Sequence, residues 1–125
     1  MELEIATTGS RQVIDITGKV QQEIKAGTGM VNVFVAHTTC GITTADLDPG
    51  ADKDLTEAVW EMIPKLDFSR HHDPSHFPSH IIHSVIGPSV TIPIKDGKLV
   101  LGTWQRIVLV EMDGPKKRNL LVSVW

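Results

Sequence analysis

At 125 residues the chain is the size of one domain built around one hydrophobic core. Hydrophobic residues make up 41% and charged residues 22%, a globular balance that excludes a disordered or fibrous polypeptide. The formal net charge of −3 provides no basic footprint for nucleic acid, and no apolar run is long enough to span a bilayer.

The first stretch, "LEIATTG", alternates weakly and ends at Gly9, which predicts a strand with a turn into "RQVIDIT". Asp15 or Thr17 then caps a helix whose apolar residues Ile16, Val20 and Ile24 recur every four positions until Gly27 stops it. "MVNVFVAH" alternates Val31, Val33 and Val35 with Asn32, Phe34 and Ala36, the pattern of a half-buried strand, and His37 stands at its end. A short strand, "GITTADL", follows.

In "DPGADKDL", Asp48 takes the N-cap position, Pro49 the first helical position, and acids fill the first turn. That helix carries Leu55, Val59 and Met62 and ends by Pro64. Leu66 to Pro78 has no apolar period and reads as a long ordered loop, a kind of segment that often carries function. "SHIIHSVIGPS" is a short helix closed by Gly87 and Pro88.

Strands occupy the rest: "SVTIPI", a "KDGK" turn suited to a two-residue hairpin, "LVLGTWQRIVLVEM", a "DGPKKR" turn, and "NLLVSVW". The sum is a single-domain α+β fold, a largely antiparallel sheet or two-sheet sandwich with two main helices and a short third. The C-terminal apolar strand suits burial against another subunit or, equally, an edge covered by the chain's own helix.

Four of the six histidines, His71, His72, His76 and His80, fall within "RHHDPSHFPSH", and His83 follows. Imidazole is a common metal ligand, and three imidazoles with one open position make a catalytic zinc site. His76 and His80 are four apart, but Pro78 biases Phe77 away from helical dihedrals, so the pair is not expected on one regular turn. His80 lies in the first turn of the following helix, where the dipole favours a neutral ring. His83 reads most simply as a half-exposed helix histidine. His37 is remote in sequence and held by a strand.

Cys40 has no intrachain disulfide partner, and no leader with a charged-then-apolar form opens the chain, which together point to the cytoplasm. Cys40 is a small buried residue on this reading rather than a nucleophile. Glycine-rich phosphate loops are absent, so a bound phosphate would use the helix N-termini after Asp48 and Pro78, or Lys116, Lys117 and Arg118. The same basic cluster is also what a solvated hairpin turn looks like.

"HTTCGITTADLDPGADKDL" and "PSHIIHSVIGPSVTIPIKDGKLVLGTWQRIVLVEMDGP", with the histidine loop between them, resemble the YjbQ family, also described as secondary thiamine-phosphate synthases. The resemblance runs from about Val31 to the C-terminus. It implies a sandwich-like α+β domain assembled as a homotrimer, with a metal-containing site near subunit boundaries. The matching positions are His37, one of His71 or His72, His80, Thr103, Trp104 and Gln105, together with Glu111 and Asp113 to Pro115.

On this basis His37, His72, His80 and Glu111 are the expected catalytic residues, and His37, His72, His80 and His76 the expected metal ligands. Thr103, Trp104, Gln105 and Arg118 are the expected cofactor- or substrate-binding residues. The metal expected is divalent, zinc or, with a diphosphate substrate, Mg²⁺. Two departures stand out: Thr44 and Ala45 replace an Asn-Glu pair common in the family, and His76 occupies a position that is often acidic.

The activity implied is condensation of hydroxymethylpyrimidine diphosphate with thiazole phosphate, releasing pyrophosphate. Histidines and a metal would serve the leaving group, and Trp104 would stack on a ring or lie in an interface. The alternatives are a metal-dependent hydrolase with a zinc-bound water, and a non-catalytic trimer that binds a metal or ligand. Partners expected are further copies of the chain and a phosphorylated small molecule, with neither nucleic acid nor membrane.

Overall fold

The computed structural model describes residues 1–125. Its elements are β1 (Glu2–Ala6), β2 (Gln12–Asp15), α1 (Thr17–Gln22), β3 (Gly29–Val35), β4 (Cys40–Asp46), α2 (Ala51–Glu61), α3 (Phe77–Ile86), β5 (Ser89–Lys95), β6 (Lys98–Leu99), β7 (Gln105–Glu111) and β8 (Lys117–Val124). All strand pairs are antiparallel, in a five-stranded sheet of order β1-β8-β3-β5-β6 and a three-stranded sheet of order β2-β7-β4. This is the α+β two-sheet architecture expected.

The sheets face each other. Val31, Val33 and Val35 of β3, Ile92 and Ile94 of β5, and Leu120 and Val122 of β8 pack onto Ile42 of β4 and Ile107 and Leu109 of β7. Ile16, Val20 and Ile24 join the same cluster, so α1 plugs it as its four-residue spacing predicts. A second cluster on the other face of β7 takes Val108, Val110 and Met112 against Ile82 of α3, with Leu55 and Val59 of α2 at its margin. The continuous apolar run of β7 has this cause: it is the middle layer, buried on both faces. No helix is long and apolar enough to cross a membrane.

Several local expectations are overturned. "RQVID" contributes strand β2, which pairs with β7, so α1 is shortened to Thr17–Gln22. Asp15 accepts the Thr17 N–H at 2.9 Å, but Ile16 occupies the N-cap position. Gly50, not Asp48, precedes α2, because its φ of 86° allows a left-handed turn into the helix. The acids Asp52 and Asp54 do lie in the first turn.

Phe77 is helical although Pro78 follows it. α3 opens there because a proline in the first helical turn removes no intrahelical hydrogen bond. "KDGK" forms the expected tight hairpin, with positive φ at Asp96 and Gly97. "LVLGTWQRIVLVEM" is broken instead of continuous: β6 belongs to one sheet and β7 to the other, and "LGTW" crosses between them. "DGPKKR" likewise crosses between sheets, and Lys117 and Arg118 are already in β8. Finally, β8 is an interior strand between β1 and β3, not an edge covered by a helix.

Candidate functional site

The site grows from the edge of β4. Here α3 lies along Cys40 and Gly41: the Ile42 N–H donates to the Gly87 carbonyl at 3.0 Å, and His83 Nδ1 lies 2.8 Å from the Cys40 carbonyl. A carbonyl only accepts, so Nδ1 of His83 carries its proton. The approach needs Gly41, where a Cβ would stand 2.8 Å from Ile86 Cγ2 and 2.9 Å from the Gly87 carbonyl. Further toward the N-terminus of α3, Ser79 Oγ donates to the Met112 carbonyl at 2.9 Å, and the Met112 N–H donates to the Thr39 carbonyl at 3.3 Å. The start of α3, the "HTT" loop and the "DGP" loop therefore meet.

Beneath them lies a buried ion pair. Glu111 is 0% and Arg118 1% exposed. Arg118 Nε donates to Glu111 Oε1 at 2.8 Å, and its Nη2 donates to Glu111 Oε2 and to Thr39 Oγ1, the latter at 2.8 Å. Thr7 Oγ1 donates to Glu111 Oε1 at 2.8 Å, and the Met112 and Asp113 amides donate to Oε2 at 3.1 and 3.2 Å. Burial works to raise the Glu111 carboxyl, but the hydrogen bonds from Arg118 and Thr7 and the guanidinium charge hold it below its ordinary value. Glu111 and Arg118 are thus committed to each other: the pair clamps the "HTT" and "DGP" loops, and Arg118 is neither a solvated turn residue nor placed to grip a phosphate.

Gly114 fits the same clamp, because a Cβ there would lie 2.3 Å from the Gly9 carbonyl. Cys40 has no polar partner for a thiolate, and burial pushes its thiol up to about 11, as suits an inert core residue.

His37 is half-buried at the end of β3. The Asn119 N–H donates to its Nε2 at 3.2 Å, so the neutral ring carries its proton on Nδ1. Desolvation lowers its pKa, and the charges of Arg118 and Lys116 add to this against a smaller opposing pull from Glu111. His37 is neutral at physiological pH.

The histidine loop and α3 supply the rest. His71 is the inner ring of its pair, 5.1 Å centroid to centroid from His80 and 4.9 Å from Phe77. His72 is exposed and stacks on His71 at 4.2 Å. Continuous helical backbone from His76 onward places His76, His80 and His83 on one side of α3, contrary to the expectation from Pro78. His76 sits between Asp73 at 3.7 Å and Asp113 at 3.8 Å, and Asp113 also binds Lys116 Nζ at 2.5 Å.

Two predicted groups do not come together. No three His, Cys, Asp or Glu side chains of the chain are placed to hold one metal ion, so His37, His72, His80 and His76 do not form a ready ligand set, and His37 Nε2 is already engaged. Thr103, Trp104 and Gln105 lie at the opposite end of β7 from Glu111, about 20 Å away at the rise of a strand. There Gln105 Nε2 donates to Thr44 Oγ1 at 3.0 Å, and Trp104 is 70% exposed. Thr7, Thr39 and the Asn119 amide escaped the sequence reading; only the adjacency of Thr39 to His37 offered a signal.

The fold and site define a class of protein: a small two-sheet α+β domain with a histidine-lined cleft where three loops converge over a buried Glu-Arg clamp. The chain belongs to the YjbQ family, whose model, described as UPF0047 protein YjbQ-like, matches residues 1–125. It is 34% identical over 124 residues to a UPF0047 protein of Archaeoglobus fulgidus, covering 98% of each chain. It is also 34% identical over 127 residues to the UPF0047 protein YugU of Bacillus subtilis, covering 98% of this chain and 96% of that one. Among solved structures, a YjbQ/UPF0047 family protein of Clostridium acetobutylicum superimposes with a TM-score of 0.90 at 36% identity, covering 100% of this chain and 99% of that one.

Proposed function

We propose that the chain is a transferase of the thiamine-phosphate synthase type that acts on phosphorylated heterocycles in the cleft beside His37. One observation carries this reading. The only fully buried carboxylate, Glu111, is consumed by Arg118, Thr7 and backbone amides, while His37 is held neutral with Nδ1–H as its remaining donor. Lys116 stands near it, and the first turn of α3 holds no acid. Such a donor-rich setting suits phosphate oxygens.

In the reaction, the bond from the pyrimidine methylene carbon to the diphosphate oxygen breaks, and pyrophosphate leaves with the electron pair. The thiazole nitrogen lone pair forms the new bond to that carbon. His37 Nδ1–H and Lys116 stabilise the charge that grows on the leaving oxygens. One chain does not assemble three metal ligands, so no step here runs through zinc or magnesium, and the hydrolase reading, which needs a metal-bound water, is the weaker. Incubating the protein with both substrates, with and without added Mg²⁺ or Zn²⁺, and analysing products by mass spectrometry tests the proposal. Thiamine phosphate with equimolar pyrophosphate is expected; a hydrolysis product from one substrate alone would replace this reading with the hydrolase.

Assembly as a homotrimer belongs to the same reading. Phe34 and Leu121 are exposed and directly opposite one another on the outer face of the five-stranded sheet, and Trp125 is exposed at the end of β8. An apolar patch on an interior pair of strands suits contact with another copy. Sedimentation equilibrium is expected to give three times the 13.7 kDa chain mass, and Phe34→Glu to give the single-chain mass.

A further inference from the structure

The loop from Leu66 to Phe77 holds a cleft of about 530 Å³ that the reaction above does not use. Leu66, Phe68, His71 and Phe77 supply its ring and alkyl surface, and Arg70 and Asp67 stand among them. The volume falls in the range of small-molecule sites.

Its rings form a continuous series. Phe68 packs on Phe77 at 5.2 Å, Phe77 on His71 at 4.9 Å, and His71 on His80 at 5.1 Å, so the series runs from the cleft to the histidines beside α3. Phe68 holds a φ of 50°, a left-handed conformation that a bulky side chain adopts only where its surroundings compensate. The contact with Phe77 is the compensation seen. Half-exposed aromatic rings kept in place at such a backbone cost are a pattern of binding surfaces.

Trp104, the ring a substrate would be expected to stack on, lies at the far end of β7 from His37. The aromatic surface that adjoins the histidines within one chain is instead Phe68, Phe77 and His71. We infer that this cleft binds a planar heteroaromatic ring bearing an anionic group, the ring stacked on Phe68 and Phe77 and the anion paired with Arg70. Asp67 supplies an acceptor for a ring amino group. The inference rests on the reading of the neighbouring histidines as a site for phosphorylated heterocycles, and it names where the heterocycle sits.

Binding without turnover separates the two. Isothermal titration of an aminopyrimidine methyl phosphate, with propyl phosphate as the ring-free probe, is performed on wild type, Phe68→Leu, Arg70→Gln and Trp104→Leu. The pyrimidine phosphate is expected to bind roughly tenfold more weakly to Phe68→Leu, the order expected for loss of one stacking ring. Arg70→Gln, at an exposed position, is expected to weaken both probes with unchanged thermal unfolding, and Trp104→Leu to weaken neither. Unchanged pyrimidine affinity in Phe68→Leu and Arg70→Gln, weakening in Trp104→Leu alone, or no discrimination by the wild type between the two probes would each overturn the inference. Ring binding in the cleft with no condensation would leave the inference standing and remove the synthase; condensation with unaltered pyrimidine KM in Phe68→Leu and Arg70→Gln would do the reverse.

Discussion

Glu111→Gln is expected to lower the unfolding free energy by about 3–5 kcal/mol, because it leaves the Arg118 guanidinium buried without its counter-charge. Arg118→Met should cost a similar amount by stranding the carboxylate. The paired replacement Glu111→Leu with Arg118→Met should recover much of either loss, since two apolar side chains leave no uncompensated charge. Urea unfolding of the three variants measures this; equal costs for single and double variants would show that packing, not charge pairing, is what the site needs.

The same clamp sets an acid limit. The Glu111 carboxyl is held below its ordinary value in the fold, so its contribution is fully present above the pKa of the unfolded chain and is lost as pH falls through the lower folded value. Wild-type stability should therefore drop in acid more steeply than that of Glu111→Gln. Because Arg118 also bonds Thr39 and Glu111 also bonds the Asp113 amide, loosening the pair releases the "HTT" and "DGP" loops together.

His37→Ala is expected to reduce turnover by about 10²–10³, the usual cost of removing one donor aimed at developing negative charge. Its effect on stability should stay within about 1 kcal/mol, because the Asn119 N–H that it uncovers is at an exposed residue and water replaces the ring. The rate should be flat at neutral pH and fall only on acidification through a pKa below the ordinary histidine value, as the ring protonates and loses the Asn119 bond. Activity that survives the substitution within a few fold would move the reaction away from β3 and the "HTT" loop.

Much of this was legible in the chain itself, and for physical reasons. Alternation of Val31, Val33 and Val35 marks a strand with one buried face, and the Asp-Gly pair at Asp96 and Gly97 marks a tight hairpin; both signals are local, and both hold. The uninterrupted run from Ile107 to Val110 announces burial on both faces, although not that the run is the middle of three layers. His37 and the histidine loop were recognisable as a site from residue type and motif.

Where the local signals failed, a distant partner decided. Pro78 argued against a helical Phe77, but at the first turn its missing N–H costs nothing, and Ile82 and Ser79 anchor the helix to β7 and Met112. Arg118 in a basic run looked solvated; a carboxylate seven residues away in sequence, together with Thr39, withdraws it from water. "GTWQ" and "HTT" read as parts of one site, yet β7 holds them at its two ends. Composition and periodicity thus determined by themselves which residues are apolar, which strands form and which family the chain joins. Only the tertiary structure decided which charges are buried together, which strand is interior and which rings adjoin the histidines, because those depend on contacts between segments that no local pattern encodes.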